Sequence, residues 1–287
     1  MFKVLIAASV SVFAVIASNT IPRSLAEMVD TERAFAKMAS DATIRDAFLE
    51  YFADQSVNFN PDPGPARERL RVTPDAFPAG MRLVWEPRLG DISSSGDLGY
   101  LTGPATTDLP GQPTRHGSYF SVWKKQPNGS YRVILDVGVA PVDAAEFAPG
   151  FVRAGAVPAY TGKDTRENAE HSLLETDRAF GLALASQGAA KAYAAALHAS
   201  GRLHRNGSPL MSTRKAAVDW THAHVKAMRS EPLKVETAAA RDLGYTWGTY
   251  SMEPTQGAVS KGYYIRVWTR DANGAWQLAA DVTQRSS

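Results

Sequence analysis

The sequence contains one pattern twice. Thr31-Glu32-Arg33-Ala34-Phe35 returns as Thr176-Asp177-Arg178-Ala179-Phe180, a shift of 145 positions. The same shift carries Glu86-Pro87 onto Glu231-Pro232 and Asp97-Leu98-Gly99-Tyr100 onto Asp242-Leu243-Gly244-Tyr245. Gly117, Tyr119, Val122 and Trp123 fall on Gly262, Tyr264, Val267 and Trp268, Asn128-Gly129 falls on Asn273-Gly274, and Asp136 falls on Asp281. A constant offset through separated blocks means two tandem copies of one module. The length of 287 residues accommodates this, at about 150 residues per domain.

Each copy reads as helices first and strands later. In the second, Leu173, Leu174, Ala179, Phe180 and Leu184 fall near helical spacing, and an alanine-rich helix is expected at 189–200, matching 43–53 in the first. A short strand follows, at 56–60 or 201–205. Ser212 is the expected N-cap of a third helix running to Met228. In the first copy Pro63, Pro65, Pro74 and Pro78 predict that this helix is broken or short. Segments 83–92, 98–103, 117–125 and 131–139 are rich in Val, Tyr, Trp and Ile and end at turn residues, as in an antiparallel meander. Asn128-Gly129 and Asn273-Gly274 predict tight type I′ hairpins. The expected fold class is α+β, with N-terminal helices packed on one face of a strongly curved antiparallel sheet in each module. The expected boundaries are 25–140 and 169–284, joined by a linker at 141–168.

Residues 1–18 combine one cation, Lys3, with the uncharged apolar run 4–17 and small residues at its end. The run is shorter than the about 20 residues of a membrane-spanning helix and has the pattern of a secretory signal peptide. The reading is a periplasmic or secreted protein without a stable membrane anchor, its mature end near Ser18 or Asn19. Lys plus Arg number 31 against 29 Asp plus Glu, so net charge gives no case for a nucleic-acid partner. Cysteine is absent, which excludes disulfides, thiolate metal sites and a cysteine nucleophile.

Several runs together resemble a known family. They are the Thr-Asp-Arg-Ala-Phe block, Arg202-Leu203-His204-Arg205-Asn206-Gly207-Ser208-Pro209, Gly262-Tyr263-Tyr264-Ile265-Arg266-Val267-Trp268, and Trp276-Gln277-Leu278-Ala279-Ala280-Asp281 after Asn273-Gly274. In order and spacing the chain resembles the SnoaL-like domains of the nuclear-transport-factor-two and ketosteroid-isomerase superfamily, in both copies and more closely in the second. The resemblance implies a cone-shaped, cystatin-like α+β barrel around an apolar pocket. It also implies pairing across the sheet, which fusion of two copies would make intramolecular, giving a pseudo-dimeric monomer. The family includes isomerases, cyclases, dehydratases, hydrolases and domains that only bind, so it leaves activity open. The first copy departs from the pattern at Asn58-Phe59-Asn60-Pro61, and the second carries Ser212-Thr213 where a glycine often precedes the third helix.

Candidate site residues follow from chemistry. Five of six histidines lie in or just before the second copy. His222 and His224 are two apart on a predicted helix, so they cannot face one ion, and no metal or cofactor is expected. A general acid/base site would use His204 as base with Asp281 or Tyr264 as partner. In the alternative, His204 is a buried ring with its polar end at a backbone group. Trp220, His198, Asn58, Tyr119 and Asp136 are the candidate ligand-binding residues. Asp136 and Asp281 end apolar runs, where desolvation would raise a carboxyl pKa. Without a repeated acid/base pair, the leading reading is a pocket protein for a small, largely apolar ligand. The alternative is an isomerase, lyase or hydrolase with its active pocket in the second module, and a third is an interaction module with an exposed apolar patch.

Overall fold

Apolar residues at helical spacing build the first helix of each copy. In α1 (Arg23–Asp41) the buried stripe is Leu25, Met28, Val29, Glu32, Phe35 and Ala39; in α4 (Arg166–Gln187) it is Ala169, Leu173, Asp177, Phe180, Gly181 and Leu184. An acidic residue therefore sits in the middle of each apolar stripe. The computed structural model describes residues 21–73, 77–140, 147–155 and 160–286. The expected signal segment, residues 1–18, lies outside the described residues.

Threonines cap the shorter helices. Thr43 and Thr213 accept from the N–H groups of Asp46 and Ala216 at the starts of α2 (Ile44–Tyr51) and α6 (Arg214–His224). The cap of α6 is Thr213 instead of Ser212, and the helix stops at His224 because the long strand β10 (Val225–Thr237) begins there. The third helix of the first copy, α3 (Ala66–Val72), has 7 residues against 11 in α6, as its flanking prolines predict. The alanine-rich helix α5 (Ala189–Ala196) ends earlier than expected, giving way to β9 (Leu197–Arg205).

The first sheet contains β1 (Phe52–Phe59), β2 (Pro63–Pro65), β3 (Arg82–Trp85), β4 (Leu89–Ile92), β5 (Leu98–Asp108), β6 (Arg115–Lys125), β7 (Tyr131–Val139) and β8 (Val152–Arg153), ordered β2-β1-β7-β6-β5-β4-β8 with β3 on β5. The second contains β10, β11 (Leu243–Pro254), β12 (Ser260–Arg270), β13 (Trp276–Arg285) and β9, in that order. The α+β class is the observed one, with two corrections. Both sheets are open, and neither is purely antiparallel: β1 joins β7, and β9 joins β13, in parallel. A strand that returns through helices and a whole meander is free to add in the parallel sense.

The Asn-Gly hairpins also differ from expectation. Gly129 and Gly274 have φ of 86° and 87°, while Asn128 and Asn273 do not enter positive φ. Gly129 N–H donates to the Gln126 carbonyl (2.8 Å) and Gly274 N–H to that of Asp271 (2.9 Å). These are type I turns followed by a left-handed glycine. The central pairs of these turns are Pro127-Asn128 and Ala272-Asn273, so each glycine follows its turn instead of lying within it. Gly129→Ala or Gly274→Ala should each cost about 1 kcal/mol, the left-handed penalty for a side chain, in urea denaturation.

The helices of each copy cover one face of its sheet, and the other faces of the two sheets pack together. Phe59, Leu98, Tyr100, Phe120, Val122 and Leu135 of the first meet Leu243, Tyr245, Ile265, Val267, Ala280 and Val282 of the second. The contact is two-fold in character. Asp242 accepts from the N–H of Ser94 (2.9 Å), and Asp97, its repeat partner, accepts from the N–H of Ala239 (3.0 Å), which is Ser94 displaced by 145.

Candidate functional site

The chemistry of each concave, helix-covered face is set by a bulge in the last long strand. Val122 pairs with Leu135 and Trp123 with Val133, so Ile134 is left over. Simple alternation from Val133 would turn Asp136 outward; the extra residue turns it inward, beside Tyr119 and Ser121. The second copy repeats this, with Val267 on Ala280, Trp268 on Leu278 and Ala279 left over, so Asp281 also faces in.

In the second module that face is filled with paired charge. Arg266 donates through Nε to Asp281 Oδ2 (2.8 Å), and through Nη1 to Asp177 Oδ1 and to Ser230 Oγ (3.1 Å). Tyr264 donates to Asp177 Oδ2 (2.7 Å) and Tyr193 to Asp281 Oδ2 (2.9 Å). Arg205 Nη2 donates to the Tyr193 hydroxyl (2.8 Å) and lies 2.9 Å from Asp281 Oδ1, while its Nη1 donates to the carbonyls of Asp281 and His204. The Arg266 guanidinium also lies 3.8 Å from the Tyr264 ring centroid and 4.7 Å from that of Phe180. Asp177, Asp281 and Arg266 are fully buried. Burial alone would push the Asp281 carboxyl up, but Arg205 and Arg266 outweigh it and hold it below its ordinary value. Two cations against two anions make this a neutral, locked core.

The first module has the same carboxylates and lacks the cations. Ser121 stands where Arg266 does, Asn60 where Arg205 does, and Phe48 where Tyr193 does. Glu32, at the position of Asp177, is buried and accepts from Trp85 Nε1 (2.7 Å), Trp123 Nε1 (2.8 Å) and Ser121 Oγ (3.0 Å). Burial raises its carboxyl to about 7 against those hydrogen bonds, with the nearby Glu86 charge adding to the rise. Asp136 has no hydrogen-bond or ion-pair partner among the described residues. It too is raised to about 7, by burial first and then by Glu32. Its side chain is half-buried. Gly138, two residues on toward the end of β7, is exposed at the rim of this face, and an added Cβ there would meet nothing within 4 Å. The Tyr119 hydroxyl on the same face is buried and unpartnered, and burial, then Glu32, pushes it well above its ordinary value.

Asn58 pairs in register with Asp136, and Asp136 with Ser121. The structure therefore brings Asn58, Tyr119 and Asp136 together on the first module's concave face, and Asn58 Oδ1 accepts from Arg69 Nη1 (3.3 Å). It does not bring His204 to Asp281 and Tyr264. Leu203 and Arg205 face inward on β9, so alternation turns His204 to the inter-module side, where its ring lies 5.6 Å from that of Phe120. Both ring nitrogens are buried without a partner, not at a backbone group, and burial, then Arg202 and Arg205, pushes the imidazole down to about 3. Asp281 and Tyr264 remain adjacent within the charge network. Trp220 is elsewhere, stacked on His224 (5.0 Å) at the wall of a cavity of about 490 Å³ that also reaches Arg205, Tyr250 and Thr283. His198 bonds locally to Ser200. Among the described residues no group of three metal-ligating side chains occurs, and no helix is long and apolar enough to cross a membrane.

Glu32, Asp177, Arg205 and Arg266 were not singled out by sequence reasoning. The available signal was an acid on the apolar stripe of a helix, and an arginine inside Tyr-Ile-Arg-Val-Trp.

No family model and no curated protein matches the chain. Solved structures similar to it include an NTF2-like protein with a cystatin-like fold from Novosphingobium aromaticivorans (12% identity, 40% of this chain and 80% of that one, TM-score 0.34). Others are a ketosteroid isomerase-like protein from Erwinia carotovora atroseptica (19%, 42% and 98%, 0.35) and a Mycobacterium tuberculosis protein in complex with estradiol-17beta-hemisuccinate (18%, 38% and 89%, 0.32).

Proposed function

We propose that the chain is an exported two-module protein whose first module holds a small, largely apolar molecule on its concave face, with the second module as its structural counterpart. The observation that carries this reading is Asp136, a half-buried carboxylate without a partner among the described residues, on the face that presents Tyr119 and Asn58 near the exposed rim at Gly138. Aromatic and aliphatic walls with a few convergent polar groups are the usual composition of a small-molecule site. A carboxyl that titrates near neutrality both accepts and donates protons at working pH. Proton transfer of the isomerase or lyase kind is therefore within its chemistry, with Asp136 taking the proton and the Tyr119 hydroxyl donating to a substrate oxygen as charge develops there. This places the chemistry in the first module instead of the histidine-rich second, whose corresponding carboxylates are already neutralised.

Native mass spectrometry of protein purified from the envelope of its own host tests the reading. A retained small molecule is expected, with Asp136→Asn and Tyr119→Phe each cutting retention about tenfold, the worth of one hydrogen bond. Retention lost in Trp220→Ala and kept in Asp136→Asn would move the site to the second module and overturn the reading. Export rests on the pattern of residues 1–18; exported protein that still begins at Met1 would remove that part. The face-to-face sheets supply the pairing within one chain, which supports a monomer in solution.

A further inference from the structure

Face-to-face packing of the two sheets leaves two flanking grooves related by the repeat, and the chain fills one of them. Residues 152–154 of the inter-module connection lie along β4. Val152 N–H donates to the Arg88 carbonyl and Ala154 N–H to the Gly90 carbonyl, both at 2.9 Å. Arg153 Nε donates to Asp91 Oδ1 (2.8 Å), and Ala154 is buried among the inter-module core residues. Further on, Tyr160 lies under the Arg270 guanidinium at 3.9 Å.

The shift of 145 takes this edge to β10. Leu89 lies opposite Thr102 and Gly90 opposite Leu101; their repeats keep the register, Lys234 opposite Trp247 and Val235 opposite Thr246. The carbonyls of Leu233 and Val235 thus hold the places of those of Arg88 and Gly90, which receive β8. Among the described residues β10 pairs with β11 and with no further strand. Beside it a groove of about 770 Å³ runs between Ala53, Val57, Ile134 and Leu135 of the first module and Tyr245 and Trp247 of the second. Leu233, left out of the β10–β11 register next to Lys234, is 57% exposed.

We propose that this groove docks an extended segment of a partner polypeptide, added as a parallel strand to β10 and carrying small apolar side chains with an acidic residue. The filled groove is the template for the backbone. Charge sets the difference between the two. The filled groove presents Asp91 and receives Arg153. In the open one Glu236, the repeat of Asp91, is already held by Lys124, Arg166 and the Tyr245 hydroxyl. Asp54 is tied to Arg67 (3.2 Å). Lys234 has no partner among the described residues, and Lys125 has a loose ion pair with Glu27, at 3.8 Å, and lies 5.2 Å over the Tyr131 ring. The lysines on the wall thus select an acidic side chain where the other groove selects arginine.

Two synthetic peptides test this. One has the sequence Ala148-Pro149-Gly150-Phe151-Val152-Arg153-Ala154-Gly155, and the other is the same with Arg153→Glu. The glutamate peptide should bind about tenfold tighter at low salt, shifting the backbone amides of residues 233–236 and the Trp247 indole in NMR spectra of the whole protein. The double variant Lys125→Glu/Lys234→Glu, altered only near the surface, should reverse the order of the two peptides. Absence of saturable binding up to millimolar peptide, equal binding of both, or shifts indifferent to the charge reversal would overturn the proposal. So would protection of residues 233–236 by concentration-dependent dimerisation, which would give the groove to a second copy.

Discussion

Replacing Arg266 with methionine should destabilise the protein by about 3–5 kcal/mol, the usual cost of removing one partner of a buried ion pair. The change leaves the buried Asp177 with no cation and only the Tyr264 hydroxyl, and leaves Asp281 with Arg205 as its one cation. The loss should appear as a lower urea midpoint, with the second module opening first. The double variant Asp177→Asn/Arg266→Met, which leaves Arg205 paired with Asp281, should recover much of it, because the cost lies in uncompensated charge and not in missing packing. A loss below about 1 kcal/mol for the single variant would mean that Arg266 is not what keeps the two aspartates buried.

Acidification from pH 7 to pH 5 should stabilise the first module, on the order of 3 kcal/mol. Glu32 and Asp136 have folded values of about 7 against ordinary values of 4.5 and 3.8. Between those limits the folded state binds protons that the unfolded state has released, so stability is fully present below the ordinary values and is lost as pH rises through 7. Partial exposure of Asp136 trims its share, and the two carboxyls titrate as a pair. Asp136→Asn should raise stability at pH 7 and flatten the slope. The second module has the opposite sign: Asp281 is held below its ordinary value, so its contribution is present above that value and is lost as pH falls through the depressed one. Urea denaturation at pH 5 and 7 reads the first effect, and stability that rises with pH across this range would refute it.

Much of the fold was legible in the sequence because it depends on local periodicity. The stripes of α1 and α4, the proline-shortened α3 and the meander of β5, β6 and β7 follow from spacings and turn residues that act over a few positions. The repeated Asp97 and Asp242 also carried information about pairing, since each reaches across to the other module. The candidate site was legible only in fragments. Asn58, Tyr119 and Asp136 share one face of the first sheet, whereas His204, a candidate by its chemistry, faces away from Asp281.

The sequence by itself carried the repeated pattern, the order of helices before strands in each copy, and the recurrence of the same acidic positions in both. Tertiary structure decided which way those positions face and what they meet. A single extra residue, Ile134 in one copy and Ala279 in the other, reverses the alternation and turns Asp136 and Asp281 from the outer face to the inner one. Once inside, their fates depend on residues far away in the chain. Arg266 and Arg205 neutralise one carboxylate, Ser121 and Asn60 leave the other bare, and in a space of low polarity that difference separates a locked core from a group free to exchange protons.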